Sequence, residues 1–440
     1  MNVEDKPMKQ RAIVFFARDF LATEFPKVAG MIDGLAHVYI TTNLPEADQV
    51  LRHDPCGDVF MLDDIDRWPQ PQPEPDETAF NRDRFLRNYS QSSILNVIRV
   101  LQGISQECLR KYKVDIYVDE PVSGYPNFYF NRVFSAAGVK CLHFQTAWVP
   151  GYMFFTSDAA QAAPVDIGWH ADWASIIDTH VDNRQKGLAR PTYVIEYGRY
   201  RQRIRDAVLT AGKGLYRKMM RRNDFYIDSD ASAHWLHVNC LIRSFSTARY
   251  FPEFVGVTGE RYVIFPMHYE PESVLNYFSQ FQRQEEIAAQ ILDTLPINFR
   301  LILKEHPSQP GALGLAKWRS MVNSQRVIAL PGNHDARKLL NLDVVVVSIA
   351  STLALESAVA GRPVGVLGQV HFASMPGIKH LDSPEEWLTL LDSQPATLSE
   401  IKSWYAEFMK RQCFPGSVMR NKTETKAMVD CINLVRERTT

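Results

Sequence analysis

Three stretches in the second half of the chain place reactive side chains directly after runs of apolar residues. In Phe265-Pro-Met-His268-Tyr-Glu270-Pro-Glu272-Ser273, a His, two carboxylates and a helix-capping Ser share one loop. The carboxylates can simply complement a helix dipole. His268, beside two prolines, is an odd core residue, so it reads with Glu270 as a site residue. Leu301-Ile-Leu-Lys304-Glu305-His306-Pro307-Ser308 brings an ammonium, a carboxylate and an imidazole to a strand end, which Pro307 stops. Lys304 as a point charge and His306 as a hydrogen-bond donor suit a nucleotide phosphate, with Glu305 beside them; a salt-bridged strand end is the plainer alternative. Val347-Ser348-Ile-Ala-Ser351-Thr352-Leu-Ala-Leu-Glu356-Ser357 reads as a strand, a small-residue turn and a helix start. Ser351 or Thr352 can cap that helix. Its free N–H groups and dipole favour an anion, and Glu356, one turn in, can accept from ribose hydroxyls.

The first half offers a different chemistry. Val114-Asp-Ile-Tyr-Val-Asp119-Glu120-Pro-Val-Ser-Gly124 ends a strand in adjacent carboxylates. Asp119 and Glu120 there are candidate site carboxylates, or both can be ordinary turn carboxylates. His143-Phe-Gln145-Thr-Ala-Trp148 closes the next strand and can line the same site, with Trp148 offering an apolar face there. Arg18 and Asp19, after the first strand, are further candidates. The Cys residues 56, 108, 141, 240, 413 and 431 are scattered, without metal-like spacing, so a zinc site is not expected. No metal cluster is seen elsewhere in the sequence, and no cofactor is expected.

Positioning such residues requires strands and helices to alternate. Ala12–Ala17, Ala36–Thr41, Val114–Val118 and Val139–Phe144 read as strands, with helices near Ser92–Lys111 and Phe128–Ala137. Past Glu260 the strands are Arg261–Phe265, Phe299–Lys304, Val327–Leu330, Asp343–Ser348 and Pro363–Leu367. Between them lie helices at Ser273–Leu295, Asp335–Leu340 and Thr352–Ala360. Alternation of this kind gives parallel sheets, and ligands then bind beyond the carboxyl ends of the strands. The fold class is α/β: two Rossmann-like doubly wound domains facing across a cleft, the GT-B type, which nucleotide-sugar epimerases share. An acceptor-side domain over 1–257 with a basic helical insertion, and a donor-side domain over 258–440 whose last helices can cross back, are expected.

Length and charge agree. At ~150 residues per domain, 440 residues suggest two or three domains. Lys+Arg 49 against Asp+Glu 50 leaves a formal net charge of −1, which argues against binding nucleic acid through global charge. From Arg199 to Arg222, however, basic residues alternate with Leu, Tyr and Met. That is either a solvated helical face or a patch for anionic lipid. No run reaches the ~18 apolar residues needed to span a bilayer, and no secretory signal pattern opens the chain, so a cytoplasmic, at most peripheral, protein is expected.

Taken in order, Phe265–Glu272, Leu303-Lys-Glu-His-Pro307, Ser348–Ala358 and Gly361-Arg-Pro363 resemble the capsular polysaccharide biosynthesis family, which includes Kdo transferases and is related in motif to bacterial sialyltransferases. The resemblance covers roughly the C-terminal half. It implies a metal-independent glycosyltransferase that moves an acidic sugar, Kdo or a nonulosonic acid, from a CMP-sugar to an oligosaccharide or glycolipid acceptor. It also implies that His306-Pro307 and Ser351-Thr352 contact the CMP phosphate, and that an acidic pair such as Asp119-Glu120 supplies the base. Family members often carry Gln at the position of Glu270. A UDP- or GDP-sugar transferase, an epimerase, or a non-catalytic scaffold of the assembly complex are the alternatives.

Overall fold

The protein is described here by a computed structural model at residues 9–69, 90–120, 124–158, 162–168, 173–185, 259–270, 273–277, 283–416 and 425–438, with isolated positions between. Residues 70–75 of the proline-rich stretch and, but for three positions, the basic segment 199–222 lie outside the described residues. The described residues fall into two α/β units, one built from residues up to 168 together with 409–438, the other from 173–408.

In the first unit, β1 (Gln10–Phe16), β2 (Ala36–Thr41), β3 (Asp58–Met61), β4 (Tyr112–Asp119), β5 (Lys140–Thr146), β6 (Tyr152–Thr156) and β13 (Cys413–Pro415) form one sheet, ordered β13-β6-β5-β4-β1-β2-β3. β1 to β5 pair in parallel, and β6 and β13 add antiparallel at one side. The uninterrupted apolar run of β1 follows from burial on both faces. Ala12, Val14 and Phe16 enter one core with the helices Gln91–Lys111 and Tyr125–Ala136. Ile13, Phe15 and Ala17 enter the other with the helices Leu21–Ala29 and Thr425–Glu437.

The second unit holds β7 (Arg261–Pro266), β8 (Phe299–Lys304), β9 (Val327–Leu330), β10 (Val344–Ser348), β11 (Val364–Val366) and β12 (Ile378–His380), ordered β12-β11-β10-β7-β8-β9 and parallel throughout. In chain order that is the 3-2-1-4-5-6 arrangement, whose strand order reverses between β7 and β10. Trp318 and Trp387 are fully buried against this sheet, and Trp387 Nε1 donates to Thr294 Oγ1 at 2.9 Å. Loss of either indole costs about 3–5 kcal/mol.

The α/β, doubly wound, two-domain class read from the sequence is the fold observed. The division differs from 1–257 and 258–440. Residues 409–438 belong with the first unit, because β13 pairs with β6 and the helix Thr425–Glu437 buries Met428, Cys431 and Ile432 in its core. The described residues of 173–257 belong with the second. The helix expected over Ser273–Leu295 is two helices, Ser273–Tyr277 and Gln284–Asp293. Between them Ser279 Oγ accepts the Phe281 N–H at 3.0 Å, a local bond that competes with helical pairing.

Candidate functional site

The carboxyl ends of β7, β8, β9 and β10 line a cavity of about 680 Å³ within the second unit. It lies at the strand-order reversal, where open α/β sheets bind ligands. His268, Lys304, Glu305, His306, Pro307, Ser351, Thr352 and Glu356 all line it.

Lys304 is 5% exposed, and its Nζ donates to the carbonyls of Glu305 at 3.1 Å and Gly332 at 3.2 Å. Burial pulls its pKa down to about 8, with Glu305 and Asp335 opposing. Among the described residues no carboxylate forms an ion pair with it. The Glu305 carboxylate turns away, accepting the N–H groups of Gly311 and Leu313, each at 3.0 Å. Burial raises its pKa against those bonds. Glu305, expected beside the donor, lines the pocket while its carboxylate braces the loop after β8.

Two imidazoles have their tautomers fixed by backbone donors. Ser308 N–H donates to His306 Nδ1 at 3.0 Å, so the neutral ring carries its hydrogen on Nε2. Ala350 N–H donates to His268 Nε2 at 3.0 Å, so that ring carries its hydrogen on Nδ1. His268 thereby links the end of β7 to the turn after β10.

That turn is more self-contained than the sequence suggests. Ser348 Oγ accepts the Ser351 N–H at 2.9 Å, and Ser351 caps the helix Thr352–Val359 by accepting the Leu353 N–H at 3.2 Å. With Ala350 N–H on His268, the N–H groups of 350, 351 and 353 are engaged within the fold. The helix dipole, the hydroxyl groups and Glu356 remain on the pocket side. Gly361, at φ +68°, ends this helix in the left-handed conformation that glycine adopts without strain.

Glu270 is outside the pocket lining. Its carboxylate pairs with Lys317 at 2.6 Å and accepts from Gln284 Nε2 at 2.8 Å. The added negative charge relative to Gln is therefore met by a lysine rather than by a ligand.

Sequence reasoning passed over the loop after β9. His334, Asp335 and Arg337 line the cavity, and Asp335 holds Arg337 through Nε at 3.0 Å and Nη2 at 2.9 Å. His334 Nε2 is buried and, among the described residues, meets no partner. Burial first, then Lys304 and Lys338, lower its pKa, while Asp335 opposes. The signal was present, since these polar residues follow a strand as the others do. Gly332 brings this loop against the previous one: a Cβ there would stand 2.7 Å from the His306 carbonyl oxygen. Gly332→Ala should cost about 1–3 kcal/mol and displace His306, checked by thermal melting and by nucleotide titration.

In the first unit, the strand order reverses between β1 and β4, and Arg18 pairs there with Glu120 across the two strand ends. Glu46 ties the neighbouring loops, accepting from Asp19 N–H and Thr42 N–H, each at 2.8 Å. Asp19 itself has φ +49°. Asp119, expected as a base, is fully buried: it accepts from Tyr117 Oη at 2.5 Å, Asn127 Nδ2 at 2.9 Å and Glu120 N–H at 2.7 Å. Burial raises its pKa to about 7, against the pull of Tyr117, Asn127 and Arg18. A carboxylate so enclosed supports the loop and does not meet an acceptor. His143, expected on the acceptor side, is also fully buried, with Asn131 Nδ2 at 2.7 Å from its Nε2, and burial lowers its pKa to about 4. Gln145 and Trp148 are half-buried. No group of three metal-ligating residues occurs among the described residues.

Residues 255–405 match the family described as "Capsule polysaccharide biosynthesis protein". No curated protein matches the chain. Among solved structures, it is similar to the beta Kdo 2,7 transferase of Thermosulfurimonas dismutans KpsC, at 11% identity over 91% of this chain and 99% of that one, with a TM-score of 0.39. It is also similar to a putative UDP-N-acetylglucosamine 2-epimerase from Listeria monocytogenes, at 12% identity over 91% and 96%, TM-score 0.26. A UDP-GlcNAc 2-epimerase from Neisseria meningitidis gives 10% identity over 98% and 100%, TM-score 0.24. None of these reaches a TM-score of 0.5, so the assignment stands on the matched segment and its residues. Residues 255–405, and with them the pocket and the three motifs around it, match the capsule polysaccharide biosynthesis protein family.

Proposed function

We propose that the chain is a glycosyltransferase of surface-polysaccharide assembly whose second unit binds a CMP-activated acidic sugar, Kdo or a nonulosonic acid. The observation that carries this reading is Lys304, the only cation lining the pocket outside an ion pair among the described residues. Beside it, His306 lines the same pocket with its hydrogen on Nε2, so a phosphate oxygen meets donors without the ring having to protonate. One cation outside an ion pair suits the single phosphate of a CMP-sugar better than a diphosphate. Glu356 is the acceptor for ribose hydroxyls.

Transfer joins an acceptor hydroxyl oxygen to the anomeric carbon while the bond from that carbon to the CMP phosphate oxygen breaks. The hydroxyl proton goes to a base, and with Asp119 enclosed we assign that role to Glu120, held by Arg18. The acceptor is an oligosaccharide or glycolipid. We further propose that no metal is required, that the protein works at the cytoplasmic face of a membrane, and that residues 199–222 meet anionic lipid. No described helix is long and apolar enough to cross a membrane.

Thermal shifts with CMP, UDP and GDP test the donor: stabilisation by CMP is expected, and stabilisation by UDP alone would refute it. His306→Ala should weaken CMP binding about tenfold, read by calorimetric titration. Turnover that collapses after EDTA treatment and returns with a divalent ion would refute metal independence.

A further inference from the structure

His268 stands just past β7, and one side chain holds its backbone on both sides. Gln284 Oε1 accepts the His268 N–H at 2.6 Å, and Gln284 Nε2 donates to the His268 carbonyl at 3.1 Å. Gln284 is fully buried, and the same Nε2 donates to Glu270, which Lys317 neutralises. A fixed backbone leaves the imidazole a narrow range of directions. It crosses the strand-order reversal, where its Nε2 takes the N–H of Ala350. Ala350 immediately precedes the capping residue Ser351, so the orientation of this one peptide sets the turn from Ser348 to Thr352 and the start of the helix that carries Glu356.

We infer that His268 is a positioning residue: it fixes the peptide between β10 and the helix Thr352–Val359, and so sets Ser351, Thr352 and Glu356 against the bound nucleotide. Gln284 is its support. An apolar side chain at 268 would leave the Ala350 N–H without an acceptor, which favours rotation of that peptide. The inference rests on the reading of the pocket as a nucleotide site.

The test uses the full chain with CMP as the probe, and His268→Leu against His268→Gln. The amide oxygen of Gln reaches about as far as imidazole Nε2 and keeps an acceptor, whereas Leu does not. Two quantities are read: the Kd for CMP by calorimetry, and hydrogen exchange of a peptide spanning residues 345–355 without ligand. In His268→Leu, Kd should rise about tenfold and exchange at 350–353 should quicken, while His268→Gln stays within about threefold of wild type in both. Should His268→Leu fail to fold, His268→Met, unbranched and without an accepting nitrogen, takes its place. Wild-type Kd and exchange in the apolar variant would overturn the inference. So would a glutamine variant as impaired in binding as the leucine one but with wild-type exchange, since the imidazole would then touch the nucleotide itself. If wild type binds no nucleotide at all, the donor reading fails instead, and unliganded exchange still decides whether His268 positions the turn.

Discussion

Lys304→Met is expected to weaken CMP binding by about 10- to 100-fold while the protein still folds. An ammonium this buried gives a charge-assisted hydrogen bond to an anion, worth about 1.5–3 kcal/mol. Met fills a similar volume, although the carbonyls of Glu305 and Gly332 lose a donor. The pH dependence carries a sign of its own. With a folded pKa of about 8, Lys304 keeps its proton below that value, so affinity for CMP should hold there and fall as pH rises through 8. A bound anion favours the protonated form, so binding near pH 8 takes up a proton. Stability runs the other way. Between the folded value and the ordinary lysine value of about 10.4 the unfolded chain holds the proton that the folded one has lost, so this group's contribution to stability grows with pH. Calorimetric titrations from pH 6.5 to 9.5 decide the matter. A Lys304→Met protein with wild-type Kd and the same pH profile would remove the residue from the site.

The second large effect separates two adjacent carboxylates. Asp119→Ala should lower stability by about 2–4 kcal/mol, because the Tyr117 hydroxyl and the Asn127 amide then lie buried without an acceptor. The loss should depend on pH. The folded pKa of Asp119, about 7, lies above the ordinary carboxylate value, so its favourable contribution is complete below that ordinary value and disappears as pH rises through 7. The destabilisation should therefore be larger at pH 5 than at pH 8, as calorimetric melting would reveal. Glu120→Gln takes one charge out of the largely buried pair with Arg18, so the melting temperature should fall somewhat, without the pH dependence expected of Asp119→Ala, while turnover drops by about 10²- to 10⁴-fold, the usual worth of a general base. An Asp119→Ala enzyme that melts like wild type yet is inactive would return the chemical role to Asp119.

Which elements could be read from sequence follows from how each is stabilised. β8 and β9 were legible to the residue, Phe299–Lys304 and Val327–Leu330, because a parallel strand buried on both faces shows an unbroken apolar run. The same signal marked β1, β2, β7 and β10. It failed for β13, a three-residue strand ending in Pro415, whose partner Tyr152–Thr156 lies far away in sequence. Pairing at that distance leaves no local pattern. The rule that ligands gather after strand ends found His268, Lys304, His306 and Ser351, all in the pocket, and applied to the loop after β9 it would have found Arg337. What it could not give was direction. Glu305 and Asp119 follow strands as a site residue should, yet each turns to nearby backbone or side-chain donors within the protein. Burial of a carboxylate beside matched donors is a three-dimensional property, and adjacency in sequence does not report it.

The discontinuity of the first unit has a consequence for biosynthesis. Its sheet lacks β13, and its second core lacks Met428, Cys431 and Ile432, until residues 409–438 have been made. The second unit has all its strands by then. At ribosomal rates the interval between β6 and β13 is on the order of ten to fifty seconds, during which Phe155 and the open edge of β6 await their cover. The N-terminal unit, though translated first, is therefore the last to close, and its apolar surface is the one left open longest in the nascent chain.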